Sequence, residues 1–254
     1  MIIRRSVAIV ALSIVLFNFA SCSKSQTDTP KIETTSIDIP ALQPVLDAQR
    51  DAFNEQVPDS LKILFAEIGR QIVDADAVET ALKVGDTAPD FILPNAVGEQ
   101  VQLSALLANG PVILTWYRGG WCPYCNIQLN AYNDVLSEFE KYNGQLVAIS
   151  PEIPDSSLST KERDSLAFEV LSDAGNSVAK QFGLVFDIPQ LLLDFLVGKL
   201  DIAVYNGDNS NTLPLAVTYV IDRDRVIKYA FVQGDYKIRS EPTEIIAELK
   251  KLQS

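Results

Sequence analysis

Apolar residues fall at helical spacing twice early in the chain. Leu42, Val45, Leu46 and Phe53 share a stripe with the polar Gln49, and Leu61, Leu64, Phe65, Ile68 and Ile72 form a second without a break. Two amphipathic helices are predicted, separated at Val57-Pro58-Asp59-Ser60, with Ser60 or Asp59 as the N-cap of the second. They read as a packing appendage. From Gly85 the pattern changes to short apolar runs divided by turn residues. Phe91–Leu93 and Val101–Leu103 flank a Val97-Gly98-Glu99 turn and predict a β-hairpin, and Ser104 is placed to cap a short helix ending near Asn109-Gly110. Val112–Trp116 is apolar at nearly every position, as a strand buried on both faces requires. Ile127, Leu129, Tyr132, Leu136 and Phe139 predict one amphipathic helix, and Leu146–Ser150 a second buried strand. Helices are then expected near 158–166, 177–182 and 190–197, with a strand at 168–171 and an Asn-rich loop over 206–212. A strand at 217–221, a turn at 222–224, a strand at 226–232 and a helix at about 243–252 close the chain. Alternating strands and helices followed by a hairpin predict an α/β sandwich with a mixed sheet.

The first 21 residues form a different kind of segment. Arg4 and Arg5 precede the run Val7–Phe19, which only Ser13 and Asn18 interrupt. Such a run makes a helix of about 20 Å, shorter than the roughly 30 Å hydrocarbon core, so it reads as a signal peptide over 1–21 rather than a membrane span. It ends Phe19-Ala20-Ser21-Cys22, which resembles the bacterial lipobox and implies lipidation of Cys22. Residues 22–38 then serve as a polar lipoprotein tether, 39–83 as the helical appendage and 84–254 as the main domain. The expected location is an exported bacterial lipoprotein, held to a membrane only by its lipid and facing the periplasm.

The whole chain carries a net charge of −12, and losing residues 1–21 removes two arginines and no acid, giving −14. Nucleic acid is disfavoured as a partner. The absence of histidine excludes Ser-His and Cys-His nucleophile pairs, and zinc, haem or copper held by histidine. Three cysteines leave an odd one in an exported protein unless a lipid takes it, so Cys22 is assigned to lipid and Cys122 with Cys125 to a redox pair.

That pair sits in Trp116-Tyr117-Arg118-Gly119-Gly120-Trp121-Cys122-Pro123-Tyr124-Cys125, between a buried strand and an amphipathic helix. Two glycines allow a sharp exit from the strand, and Pro123 suits the first helical position, making Cys122 the N-cap. Free N–H groups of the first turn are expected to face the Cys122 sulfur and favour thiolate. Arg118 adds positive charge if its side chain turns inward, and Cys125, one turn along, is within reach for a disulfide. A zinc half-site lacks two further ligands, and a purely structural disulfide across so short a loop stabilises little. No metal or cofactor is expected.

The strand–CxxC–helix order resembles the thioredoxin superfamily. Tyr-Arg-Gly-Gly-Trp-Cys-Pro-Tyr-Cys resembles the peroxiredoxin-like branch of the alkyl hydroperoxide reductase and thiol-specific antioxidant family. The likeness runs from Leu82 to Leu252 and includes Val84–Phe91, Val170–Asp173 and Thr218–Asp222. It implies a thioredoxin-like fold and a peroxidase cycle. A cysteine thiolate attacks a hydroperoxide, becomes a sulfenic acid and condenses with its CxxC neighbour, and a thioredoxin-like protein reduces the disulfide. The chain departs from the family's Pro-x-x-x-Thr/Ser-x-x-Cys, placing Arg118 at the proline, Cys122 at the hydroxyl residue and Cys125 at the cysteine. Ala216 stands where that family has an arginine and thioredoxin-like reductases a cis-proline, and Pro214 is a shifted candidate for the latter. The two resemblances disagree on the attacking thiol. Family spacing selects Cys125, whereas the helix N-terminus, and the deeper burial expected for Cys125, select Cys122. Two rivals stay open: a periplasmic thiol-disulfide oxidoreductase acting on protein disulfides, and a metal- or haem-delivery lipoprotein with CxxC as carrier site.

Overall fold

The computed structural model describes residues 38–75 and 77–253. The expected signal peptide, Cys22 and all of the tether but Asp38 lie outside them. In chain order the elements are α1 (Gln43–Gln56), α2 (Asp59–Val73), α3 (Ala77–Thr80), β1 (Ile92–Pro94), β2 (Gln100–Gln102), α4 (Leu103–Leu107), β3 (Val112–Trp116), α5 (Pro123–Asp134) and α6 (Leu136–Glu140). They continue with β4 (Gln145–Ser150), α7 (Pro154–Arg163), β5 (Glu169–Ser172), α8 (Ser177–Gln181), β6 (Val185–Asp187), α9 (Gln190–Leu196) and α10 (Ile202–Asn206). Last come β7 (Thr212–Pro214), β8 (Thr218–Ile221), β9 (Ile227–Phe231) and α11 (Pro242–Lys251).

Five strands form the central sheet in the order β5-β4-β3-β8-β9. β3 runs parallel to β4 and β4 parallel to β5, while β8 is antiparallel both to β3 and to β9. This is the mixed, helix-flanked sheet that the alternating pattern predicts. β3 is apolar throughout because it lies mid-sheet with both faces covered, and all five of its residues are buried. The period of two sorts its side chains. Leu114 and Trp116 join Val147, Ile149 and Tyr219 in a core closed by α2, α4 and α8, whereas Ile113 joins Ala148, Val170 and Val220 in a second core closed by α1, α5 and α11. The site lies at the β3–α5 junction, at the carboxyl end of that strand.

Several details differ from expectation. The 127–139 stripe is broken at Val135, whose backbone leaves the helical region, so α5 and α6 are separate helices. Neither Asp59 nor Ser60 caps α2; Pro58 occupies that place with no side-chain bond, and Asp59 pairs with Lys62 at 2.8 Å. Ser104 does not cap α4 either, because Asp90 takes both its N–H, at 2.9 Å, and its hydroxyl, at 2.8 Å. α10 and the two-stranded β6-β7 sheet were not foreseen; Thr212, assigned to the Asn-rich loop, begins β7. Pro214 ends that strand and no peptide among the described residues is cis, so it does not supply the shifted cis-proline.

Candidate active site

The loop from β3 to α5 is shaped by its glycines. Gly119 has φ +145°, and a Cβ there would strike the Trp121 indole, while a Cβ on Gly120 would strike the Thr160 hydroxyl. Gly120 is held on both sides of its peptide. Its N–H donates to Glu152 Oε1 at 3.0 Å, and its carbonyl accepts from Asn126 Nδ2 at 2.9 Å and Arg163 Nη1 at 3.3 Å. Pro123 starts α5 and Cys122 is its N-cap, as the spacing predicts.

The sulfur is not solvated by backbone, however. Cys122 makes no side-chain capping bond, and its carbonyl accepts from the N–H groups of Cys125 and Asn126, each at 3.1 Å. Side chains supply the stabilisation instead. Arg118 turns inward and donates from Nη2 to Cys122 Sγ at 3.1 Å, and the Cys125 thiol donates to the same sulfur at 2.8 Å. Both cysteines are free thiols with 0% exposure, so the greater burial expected of Cys125 is not found.

Their electrostatics nonetheless differ. Burial pushes the Cys122 thiol up, but the Cys125 hydrogen bond and the charges of Arg118 and Arg239 outweigh it and hold the group well below its ordinary value. Burial pushes Cys125 up, and donating to Cys122 pushes it further, so Cys125 keeps its proton. The two sulfurs are therefore polarised as thiolate and thiol, the arrangement an attacking and a resolving cysteine require.

Arg118 is itself fixed by stacking. Its guanidinium carbon lies 3.9 Å from the Tyr236 ring centroid and 5.3 Å from that of Trp121. Arg239 was not foreseen. It is buried, reaches Cys125 Sγ with Nη2 at 3.6 Å and is anchored by Nη1 to the Ile238 carbonyl at 3.2 Å. Among the described residues neither arginine is in an ion pair with a carboxylate. Nothing adjacent marks Arg239 in the sequence, since its contact with Cys125 spans 114 residues. Glu152 was also missed. It is fully buried, accepts from Gly120 and from the Tyr117 hydroxyl at 3.4 Å, and burial raises its carboxyl above the usual range. An acid two positions beyond the buried strand β4 is a signal that could have found it.

Beneath Cys125 lies a polar cluster. The Gln128 amide donates to the Tyr132 hydroxyl at 3.0 Å, and that hydroxyl donates to the Ser240 carbonyl at 2.9 Å, tying α5 to the segment that carries Arg239. Ala216 adds only bulk to the core. Among the described residues no group of three or more Cys, Asp or Glu is arranged to hold a metal ion.

A model of the AhpC/TSA family matches residues 84–230. Peroxiredoxin Bcp of Escherichia coli strain K12 is 28% identical over 170 residues, covering 67% of this chain and 97% of its own length. The chloroplast peroxiredoxin Q of Oryza sativa subsp. japonica is 30% identical over 171 residues, covering 67% and 66%. Among solved structures, peroxidoxin BcpB from Mycobacterium tuberculosis superposes with a TM-score of 0.55 at 26% identity, covering 68% of this chain and 99% of that one. A PrxQ structure from Xylella fastidiosa superposes with a TM-score of 0.52 at 18% identity, covering 68% and 96%, and shares the fold.

Proposed function

This chain belongs to the AhpC/TSA family, and on that footing we propose that it reduces hydroperoxides with its own thiols, through a cycle in which Cys122 attacks and Cys125 resolves. The observation that carries the reading is the Arg118 Nη2 contact with Cys122 Sγ at 3.1 Å, with the Cys125 thiol 2.8 Å from that sulfur. A buried thiolate beside a fixed guanidinium is a nucleophile whose partner cation also stabilises charge on a departing oxygen.

In the first step an S–O bond forms and the O–O bond breaks. Cys122 is oxidised to sulfenic acid, and the leaving oxygen takes a proton and departs as alcohol or water. The Cys125 thiol then attacks that sulfur, forming the disulfide and releasing water. A dithiol of the thioredoxin type returns two electrons and two protons. Attachment to a membrane through lipid on Cys22, facing the periplasm, is the location proposed for this chemistry.

Purified protein with a recycling dithiol is expected to consume hydrogen peroxide, and Cys122→Ser to abolish this. Cys125→Ser is expected to retain one turnover and accumulate a dimedone adduct on Cys122. Label on Cys125 in Cys122→Ser, with none on Cys122 in the converse variant, would reverse the order of the thiols. No consumption above the double-serine variant, together with insulin reduction, would replace the peroxidase with a thiol-disulfide oxidoreductase.

A further inference from the structure

Arg239 is a buried cation placed at the thiol that does not attack first. It is 2% exposed, and its Nε has no hydrogen-bond partner among the described residues. A buried charge with no carboxylate beside it and an unmet donor is destabilising, and an apolar side chain of similar volume would fill the place without that cost. The fold nevertheless holds it in position. Its backbone N–H donates to Gln43 Oε1 of α1 at 3.4 Å and its Nη1 to the Ile238 carbonyl at 3.2 Å, while the carbonyl of the next residue, Ser240, accepts from Tyr132 of α5 at 2.9 Å. These contacts present Nη2 to Cys125 Sγ at 3.6 Å.

The two arginines divide between the two sulfurs. Arg118 donates to Cys122 at 3.1 Å and acts more strongly than Arg239 on that thiol, whereas Arg239 acts more strongly than Arg118 on Cys125. The tyrosines around them carry no charge to offset this. Burial keeps Tyr117, which faces Cys125 from the end of β3, and Tyr132, which faces Arg239 from α5, protonated. In the reduced site two guanidiniums therefore face one thiolate. Oxidation of Cys122 to sulfenic acid discharges that thiolate, takes away the acceptor of the Cys125 S–H and leaves both cations unneutralised. Ionisation of Cys125 restores the balance.

We infer that Arg239 is the catalytic residue of the resolving step, stabilising the Cys125 thiolate that attacks the Cys122 sulfenic acid. The inference rests on the peroxidase reading and adds a residue to its second half. Cys125 gives up its proton and its sulfur supplies the electron pair of the new S–S bond. The Cys122 S–O bond breaks with its electron pair on oxygen, and the oxygen takes the proton and leaves as water.

The test follows a single turnover with hydrogen peroxide by rapid quench and mass spectrometry, which separates sulfenic acid from disulfide. Arg239→Met is expected to slow conversion of sulfenic acid to disulfide at least about tenfold at pH 7, as loss of a hydrogen bond to a charged group does, while formation of the sulfenic acid changes by less than about threefold. Arg118→Met is expected to slow the first step more than the second. The Arg239→Met deficit is expected to shrink at pH 9, where the thiol ionises more readily unaided, and Arg239→Lys, which keeps the charge, to restore conversion to within about threefold of wild type. Arg239→Gln keeps a donor for the Ile238 carbonyl and carries the same expectation as Arg239→Met, with the urea midpoint of each variant as the control for folding. Equal slowing of both steps, or a deficit that does not change with pH, overturns the inference. A measurement without peroxide separates it from the reading beneath it. In the Cys122→Ser background, Arg239→Met is expected to slow alkylation of Cys125 by iodoacetamide at least about tenfold more at pH 7 than at pH 9. Equal ratios at the two pH values overturn this inference alone. A pH-dependent difference alongside a wild-type protein that consumes no peroxide overturns the peroxidase reading and leaves Arg239 acting on Cys125 in disulfide exchange.

Discussion

The electrostatic difference between two adjacent thiols is set by single side chains. Cys122 receives the Arg118 guanidinium and the Cys125 thiol proton, and this outweighs complete burial. Removing the guanidinium is expected to raise the reactive pKa. In Arg118→Met, alkylation by iodoacetamide should slow at pH 6 by about tenfold for each unit by which the raised pKa exceeds 6, and far less at pH 9. Equal rate ratios at the two pH values would show that Arg118 does not set the thiolate. Glu152 makes a prediction of opposite sign. Its folded carboxyl holds its proton more tightly than the unfolded one, whose reference value is 4.5, so folding stability falls as pH rises from that value through the folded pKa. Glu152→Gln keeps an acceptor for the Gly120 N–H and removes the titration. The difference in urea midpoint between variant and wild type is expected to grow in the variant's favour from pH 4.5 to 7.5, and a constant difference would contradict it. The juxtaposition of Cys122, Cys125 and Arg118 was legible because they sit together in ten consecutive residues between a strand and a helix. Arg239 was not, because tertiary packing brings it in across 114 residues, and Glu152 was marked only by its place two residues past a buried strand.

At the scale of elements, the appendage is bound to the far end of the chain by the Glu241 carboxylate and by Gln43, whose Nε2 donates to the Lys237 carbonyl at 3.3 Å and whose Oε1 accepts from the Arg239 N–H at 3.4 Å. Glu241 accepts the Leu42 N–H at 2.7 Å and the Gln43 N–H at 2.8 Å, satisfying donors that the first turn of α1 leaves unpaired. No periodicity could reveal this, since the contact spans 199 residues. Glu241→Ala is expected to destabilise the protein by about 1–2 kcal/mol, as loss of a helix N-cap does, and to speed hydrogen exchange at the start of α1 before that of β3. Uniform acceleration across α1 and β3 would mean that α1 unfolds only with the whole domain. Long periodic helices were readable to within a few residues, as α1, α2, α9 and α11 show. β6, β7 and α10 are only three to five residues long and owe their existence to pairing and packing. The break at Val135 was hidden because apolar residues on both sides keep helical spacing through it.

For the whole molecule, the decisive sequence signal was the order of elements. Buried strand, CxxC, helix and buried strand, followed by a closing hairpin, are enough to specify a central β3 with a parallel neighbour on one side and an antiparallel hairpin strand on the other. That order also puts the N-terminus of α5 at a sheet end, where the appendage helices and α9 add an apolar cavity beside the thiol. No helix among the described residues is long and apolar enough to cross a membrane, and the attachment proposed is through lipid on Cys22. One acyl chain gives only marginal binding, and stable anchoring needs more than one; the diacylated cysteine implied by Ala20-Ser21-Cys22 meets that requirement. Cys22→Ala is expected to move the protein from the membrane to the soluble fraction of a bacterial host while leaving kcat/KM for hydrogen peroxide within about twofold, because Cys22 lies outside the folded unit that begins at Asp38. Unchanged fractionation, with an unmodified mature N-terminus by mass spectrometry, would remove the anchor and leave the redox chemistry standing on Cys122 and Cys125 alone.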